Sequence, residues 1–213
     1  MKQPFLFPGM LFFLLLHHSA VIAQQSLTNA EKSNTLQLLN YKPQKAKSGK
    51  DGSERLVIFK LFKGPKSGTN GKDGKPGPGL RVDISMITIA DTGLLRLVIT
   101  QKEKKSKPDT FYLNPRYGQI KVIADGGDGG NGGRGESDSG SHGRGGKGGT
   151  GGQIEVFFDA GSVDYATCKC LVFSNEGGSG GWSGENYGNA AETGIKGPPI
   201  YFKDLNSRII LGN

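Results

Sequence analysis

The chain has 213 residues, of which 36 are glycine and only 34% are apolar, and its formal charge is +8. That length admits one sizeable domain or two small ones. So little apolar content excludes a large hydrophobic core, and the lack of a strict three-residue glycine period over the whole chain excludes a collagen-like fibre.

Lys2, the apolar run 11–16 and the residues Val21-Ile22-Ala23 before Gln24 stand in the order of a secretory signal. Cleavage is expected after Ala23, and it removes one lysine and no acid, leaving +7. The apolar run is too short for a comfortable membrane span, and no later stretch is long and apolar enough. No cysteine follows the cut, so a lipid anchor there is not expected. The expected location is secreted, periplasmic or cell-surface.

Residues 24–52 read as a polar, basic arm or linker. Within it, Thr28-x-x-Glu31 resembles a capping box ahead of Leu36, Leu38 and Leu39, which predicts a short helix. The rest of the chain, 53–213, reads as one domain of strands interleaved with glycine stretches. Leu56–Phe62 has the β-branched and aromatic content of a strand. It runs into 64–79, where glycine recurs at 68, 71, 74 and 77. Leu80–Ile89 alternates apolar with mostly polar residues, as a half-buried strand does. Asp91-Thr92-Gly93 predicts a turn, and Leu94–Ile99 returns as a hairpin. Lys102–Lys107 is a charged loop, followed by strands at Phe111–Leu113 and Gln119–Ile123.

The stretch 126–152 is the centre of the pattern. Glycine occupies two of every three positions at 126–135 and again at 143–152, with the register slipping at Glu136–Ser139. Three residues per turn is the repeat of the polyproline II helix. Glycine twice per turn leaves two sides bare, and that helix has no internal hydrogen bonds, so its backbone needs partners on neighbouring chains. The remaining residues, Asp128, Asn131, Arg134, Arg144, Lys147 and Thr150, form one polar row. Two extended helices joined by a turn are expected here. A flexible glycine linker is the competing reading, although linkers need not keep register.

Ile154–Phe158 and Cys168–Phe173 are predicted strands, and a third glycine stretch, 177–184, returns loosely through Gly188, Gly194 and Gly197. Ile200–Phe202 and Arg208–Leu211 close the chain. On a strand, Cys168 and Cys170 share a face. A bridge across two residues is not expected, and the pair is expected as buried small apolar residues rather than a redox or zinc site. Three excursions out of a common set of strands would give six glycine helices. The fold class expected is all-β: a small sheet or sandwich with an interleaved bundle of glycine-rich polyproline II helices.

The alternation of DGGDGGNGG and GRGGKGGTGGQIEVFF with strands resembles the glycine-rich N-terminal domain of the Obg family of GTPases. That resemblance covers roughly 55–203 in texture and is close only over 126–158. It implies six left-handed glycine helices on a small β-structure. The texture is also similar to the glycine-helix bundles of phage tail-tip adhesins, in which loops at the tip touch the receptor. No G-x-x-x-x-G-K-[ST] loop exists in this chain, so the GTPase's phosphate cradle does not carry over, and shared architecture does not fix function.

Outside residues 1–23 the only histidine is His142. No G-x-S-x-G or H-E-x-x-H motif is present, and the chain reads as a non-enzyme without cofactor. Gly126–Asn131 partly matches a calcium β-roll repeat, but its apolar position is Gly133, so no metal is expected. A nucleic-acid partner is not expected either, because the lysine cluster at 102–107 lacks interleaved aromatics. The candidate ligand-binding residues lie in the tip loops: Trp182, Glu185, Asn186 and Tyr187 at the third turn, and Glu136, Asp138 and His142 at the second. Exposed aromatics beside polar groups suit a cell-surface glycan or an envelope protein. The function expected is a non-catalytic binding or adhesion module. The alternatives are a structural envelope or matrix component, an ice-binding protein, and a hydrolase with a site invisible in sequence.

Overall fold

The computed structural model describes residues 36–52, 66–89, 91–103, 107–136, 140–185, 190–206 and 208–212. The secretory signal, the Thr28–Glu31 capping box and the strand expected at Leu56–Phe62 lie outside those residues.

Among the described residues nine strands carry the fold: β1 (Leu36–Asn40), β2 (Leu80–Ile89), β3 (Thr92–Gln101), β4 (Asp109–Leu113), β5 (Gln119–Ile123), β6 (Ile154–Phe158), β7 (Leu171–Ser174), β8 (Tyr201–Asp204) and β9 (Ile209–Gly212). One sheet has the order β1-β5-β7, all parallel, and the other the order β4-β3-β2-β6-β8-β9. The alternation read in the sequence sets the inner faces. Leu80, Val82 and Ile84 of β2, Leu95, Leu97 and Ile99 of β3, Ile120 and Val122 of β5, and Ile154, Val156 and Phe158 of β6 meet in one core. The two sheets therefore form a sandwich over a shared apolar layer. Phe157 faces the other way and is still buried, under the Arg81 guanidinium 4.4 Å from its ring centre.

Three sequence readings are corrected here. Leu36–Asn40 is a strand pairing in parallel with β5, not the end of a helix; sheet pairing outweighs the local helical pattern. The β2–β3 turn falls one residue earlier than expected, with Ile89 paired to Thr92 and Asp91 in the left-handed region at φ 64°, a conformation Asp tolerates. Cys168 and Cys170 are joined in a disulfide. They lie not on a strand but in the turn between a 3₁₀ helix, Val163–Thr167, and β7. The turn shortens their Cα separation to 5.1 Å, within the range a disulfide spans.

Among the described residues, six segments without regular helix or strand lie side by side: I (41–52), II (66–79), III (124–136), IV (140–153), V (175–185) and VI (190–200). The segment read as a basic arm or linker is thus segment I, bonded along its length. Ala46, Gly49 and Gly52 donate their N–H to the carbonyls of Asp128, Asn131 and Arg134 at 2.9, 2.7 and 2.7 Å. Every ladder in this region advances three residues at a time. Gly127, Gly130 and Gly133 donate to Lys75, Lys72 and Thr69 at 2.8, 2.8 and 2.9 Å. Gly143, Gly146 and Gly149 donate to Gly133, Gly130 and Gly127, each at 2.8 Å.

These bonds sort the segments into two rows. Segments I, III and V run parallel in one row, II, IV and VI run parallel in the other, and bonds between the rows are antiparallel. The rows continue the sheets. β1, β5 and β7 feed segments I, III and V, while segments II, IV and VI feed β2, β6 and β8. The order of strands therefore dictates the order of segments. At the base, buried Asn175 ties the second row together, donating Nδ2–H to the carbonyls of Gly152 at 3.1 Å and Pro198 at 2.8 Å.

Glycine is required where backbones cross closely. A Cβ on Gly130 would overlap the Lys47 carbonyl, and one on Gly146 would overlap that of Lys72.

Candidate functional site

Each triplet in segments III and IV spends two residues on neighbouring segments and turns the third outward. The outward residues are not merely solvated. Asp125, Asp128 and Asn131 accept, on a side-chain oxygen, the N–H of Glu176, Ser179 and Trp182 at 2.8, 2.9 and 3.2 Å. Asn70 and Asp73 do the same for Arg144 and Lys147 at 2.8 and 2.7 Å, and Asp51 for Arg134 at 2.7 Å. These side chains occupy N–H groups that a neighbouring carbonyl does not reach. Sequence reasoning saw Asp128 and Asn131 as part of a polar row and missed this role. The signal available was the recurrence of Asp or Asn at one position of the triplet.

Charge is distributed on the same surface. Lys42 Nζ lies 2.8 Å from Asp128 Oδ1, and this hydrogen-bonded ammonium holds the Asp128 carboxyl below the usual aspartate range. Lys147 pairs with Glu192 at 2.8 Å across segments IV and VI and lowers the Glu192 carboxyl in the same way.

At the far end, His142 of segment IV meets the end of segment III. Its Nδ1 accepts the Gly135 N–H at 3.1 Å, which leaves the ring proton on Nε2 in the neutral form. His142 itself is exposed. Glu136 is not an exposed tip residue: it is 1% exposed, and its Oε2 accepts the Lys66 N–H at 2.9 Å. Glu136 thus turns inward and ties segment II to the far end of segment III.

Trp182 is 60% exposed. Its backbone is fixed on both sides, by Asn131 on its N–H and by the Gly132 N–H on its C=O, and it bridges to Ala190 of segment VI. Beside it, an open groove of about 540 Å³ is lined by Ser141, His142, Arg144, Ser183 and Glu185. The Ser183 hydroxyl is buried there without a partner among the described residues. The structure thus brings His142 and Glu185 to one groove, with Trp182 outside its lining. Asp138, Asn186 and Tyr187 lie outside the described residues. Among the described residues, no three of His, Cys, Asp or Glu gather as metal ligands, and no helix is long and apolar enough to cross a membrane.

The chain matches no family model, no curated protein and no solved structure.

Proposed function

We propose that segments I–VI are polyproline II helices and that the chain is an exported, non-catalytic binding or adhesion module. In this reading the bundle is a rigid stem and its far end meets a glycan or a surface protein. The three-residue step of every ladder supports the helix assignment, because that is the helix's repeat. The same arrangement, six glycine helices on a small β-structure, is what the resemblance to the Obg N-terminal domain implies.

The observation that carries the binding reading is Trp182. A large ring stands open to solvent on a backbone bonded on both sides. An aromatic held this way contacts a sugar face or an apolar side chain with little ordering cost on the protein's part. Polar groups of the neighbouring groove, His142 and Glu185, then supply hydrogen bonds that fix orientation.

The test is Trp182 fluorescence during titration with a panel of neutral and amino-sugar glycans and with surface-protein extracts. One or more should shift the emission, and Trp182→Ala should weaken binding by about tenfold or more, the scale of a central aromatic contact. If no ligand perturbs the emission and Trp182→Ala leaves retention on every surface unchanged, the tip-binding reading is lost and the structural-stem role takes its place.

A further inference from the structure

We infer that the edge of the bundle formed by segments I and II is a docking groove for an acidic polysaccharide. The positive charge of the chain is concentrated there. Residues 41–52 and 66–79 hold seven lysines against two aspartates. A groove of about 780 Å³ runs along this edge.

The ladder places the lysines. Lys72 N–H donates to Lys47 C=O at 3.0 Å and Thr69 N–H to Lys50 C=O at 2.9 Å, so Lys47 stands beside Lys72 on the antiparallel neighbour. Lys75 stands one triplet further along segment II, its C=O accepting the Gly127 N–H at 2.8 Å. On the polyproline II reading, residues three apart on one segment recur about every 9 Å. Lys42 is engaged by Asp128, and Lys45 donates to Asn131 at 3.3 Å. Lys47, Lys50, Lys72 and Lys75 are exposed and carry no ion pair among the described residues. Asp73 and Glu103 also face the groove, and Asp73 Oδ1 accepts the Lys147 N–H at 2.7 Å.

The lining decides the class of polyanion. A single-stranded nucleic acid is bound by a run of stacking aromatics. Among the described residues Tyr41 is the one aromatic in the lining, and its hydroxyl is committed to Asp109 at 2.9 Å. Pro43, Pro76 and Pro78 instead offer flat apolar surface without N–H donors, against which the C–H face of a sugar ring can lie. A carboxylate-bearing sugar polymer matches both the lysines and this proline surface. The groove is built on a bonded backbone, so little order has to be imposed on binding.

The experiment titrates the purified protein with a polygalacturonate oligomer, a neutral dextran of equal length, and a single-stranded oligonucleotide. The acidic sugar should bind, dextran should not, and the oligonucleotide should bind more weakly; affinity for the acidic sugar should fall steeply with salt. The double variant Lys47→Gln/Lys72→Gln should bind about tenfold more weakly, whereas Lys107→Gln/Lys169→Gln, with equal charge removed elsewhere, should change binding less than about twofold. Both doubles should keep the wild-type Tm, since all four lysines are exposed. Equal weakening by both doubles, a preference for the oligonucleotide, or no binding of polygalacturonate overturns the proposal. Trp182→Ala should leave this binding unchanged, so failure here and failure of the tip reading are separate results.

Discussion

In the sandwich, Leu80, Val82, Ile120, Val156 and Phe158 fill the space between two sheets, and burying each such side chain stabilises by about 1.5–3 kcal/mol. In the bundle, the space between segments holds almost no side chain: Gly130 and Gly146 bring one backbone directly against the next. Each ladder bond there is worth a net ~0.5–1.5 kcal/mol, while ordering a residue costs about 1–2 kcal/mol. The bundle therefore barely holds its own register and takes it from the sandwich, whose parallel strands launch and receive the segments in order. A fold can thus extend itself without more apolar residues, provided backbones replace side chains as the packing units.

The contrast breaks most sharply at a buried glycine. Gly146→Ala drives a methyl into the Lys72 carbonyl, a backbone atom that cannot turn aside. A loss of about 3 kcal/mol is expected in chemical denaturation. Gly93→Ala is the control, because its new methyl would meet only Met86 at 3.6 Å; a change within about 0.5 kcal/mol is expected. Equal effects of the two would mean that close backbone packing is not what holds the bundle.

A smaller effect sharpens the role of the outward row. Asp128→Ala strips the partner from the Ser179 N–H and should cost about 1 kcal/mol. Asp128→Asn keeps an acceptor and loses only the attraction of Lys42, so at neutral pH it should cost less. Because the folded-state value of Asp128 is depressed by Lys42, the ion pair stabilises above the ordinary aspartate value. That contribution is lost as pH falls through the lower folded-state value, below about 4. Thermal melts of wild type and Asp128→Asn should therefore differ at pH 7 and converge under acid.

Glycine density explains what was legible in the sequence. Segments III and IV each bond to four neighbours and keep glycine at two of three positions, so their period stood out. Among the described residues, segment I bonds within the bundle to segments II and III, and its two glycines stand at 49 and 52, which left it resembling a basic linker. Strands β2, β3, β5 and β6 were readable because half-burial imposes alternation. Leu36–Asn40 was not, because its partner β5 lies some eighty residues away and three leucines close together also suit a helix. The disulfide was missed because a strand was assumed where the chain turns. At the candidate site, Trp182 stood out as the lone tryptophan, whereas the basic edge depends on segments I and II lying side by side, which no local pattern records.

The most direct measurement is residue-resolved amide exchange across 126–152. Paired glycines such as Gly126 with Gly127, Gly129 with Gly130 and Gly148 with Gly149 should be protected, because their N–H groups donate to neighbouring segments. Arg144 and Lys147 should also be slowed by Asn70 and Asp73, while the Asp128 and Asn131 amides between the glycine pairs exchange faster. Rapid exchange throughout 126–152, without that two-in-three pattern, would contradict the backbone-bonded bundle and return the stretch to a flexible linker.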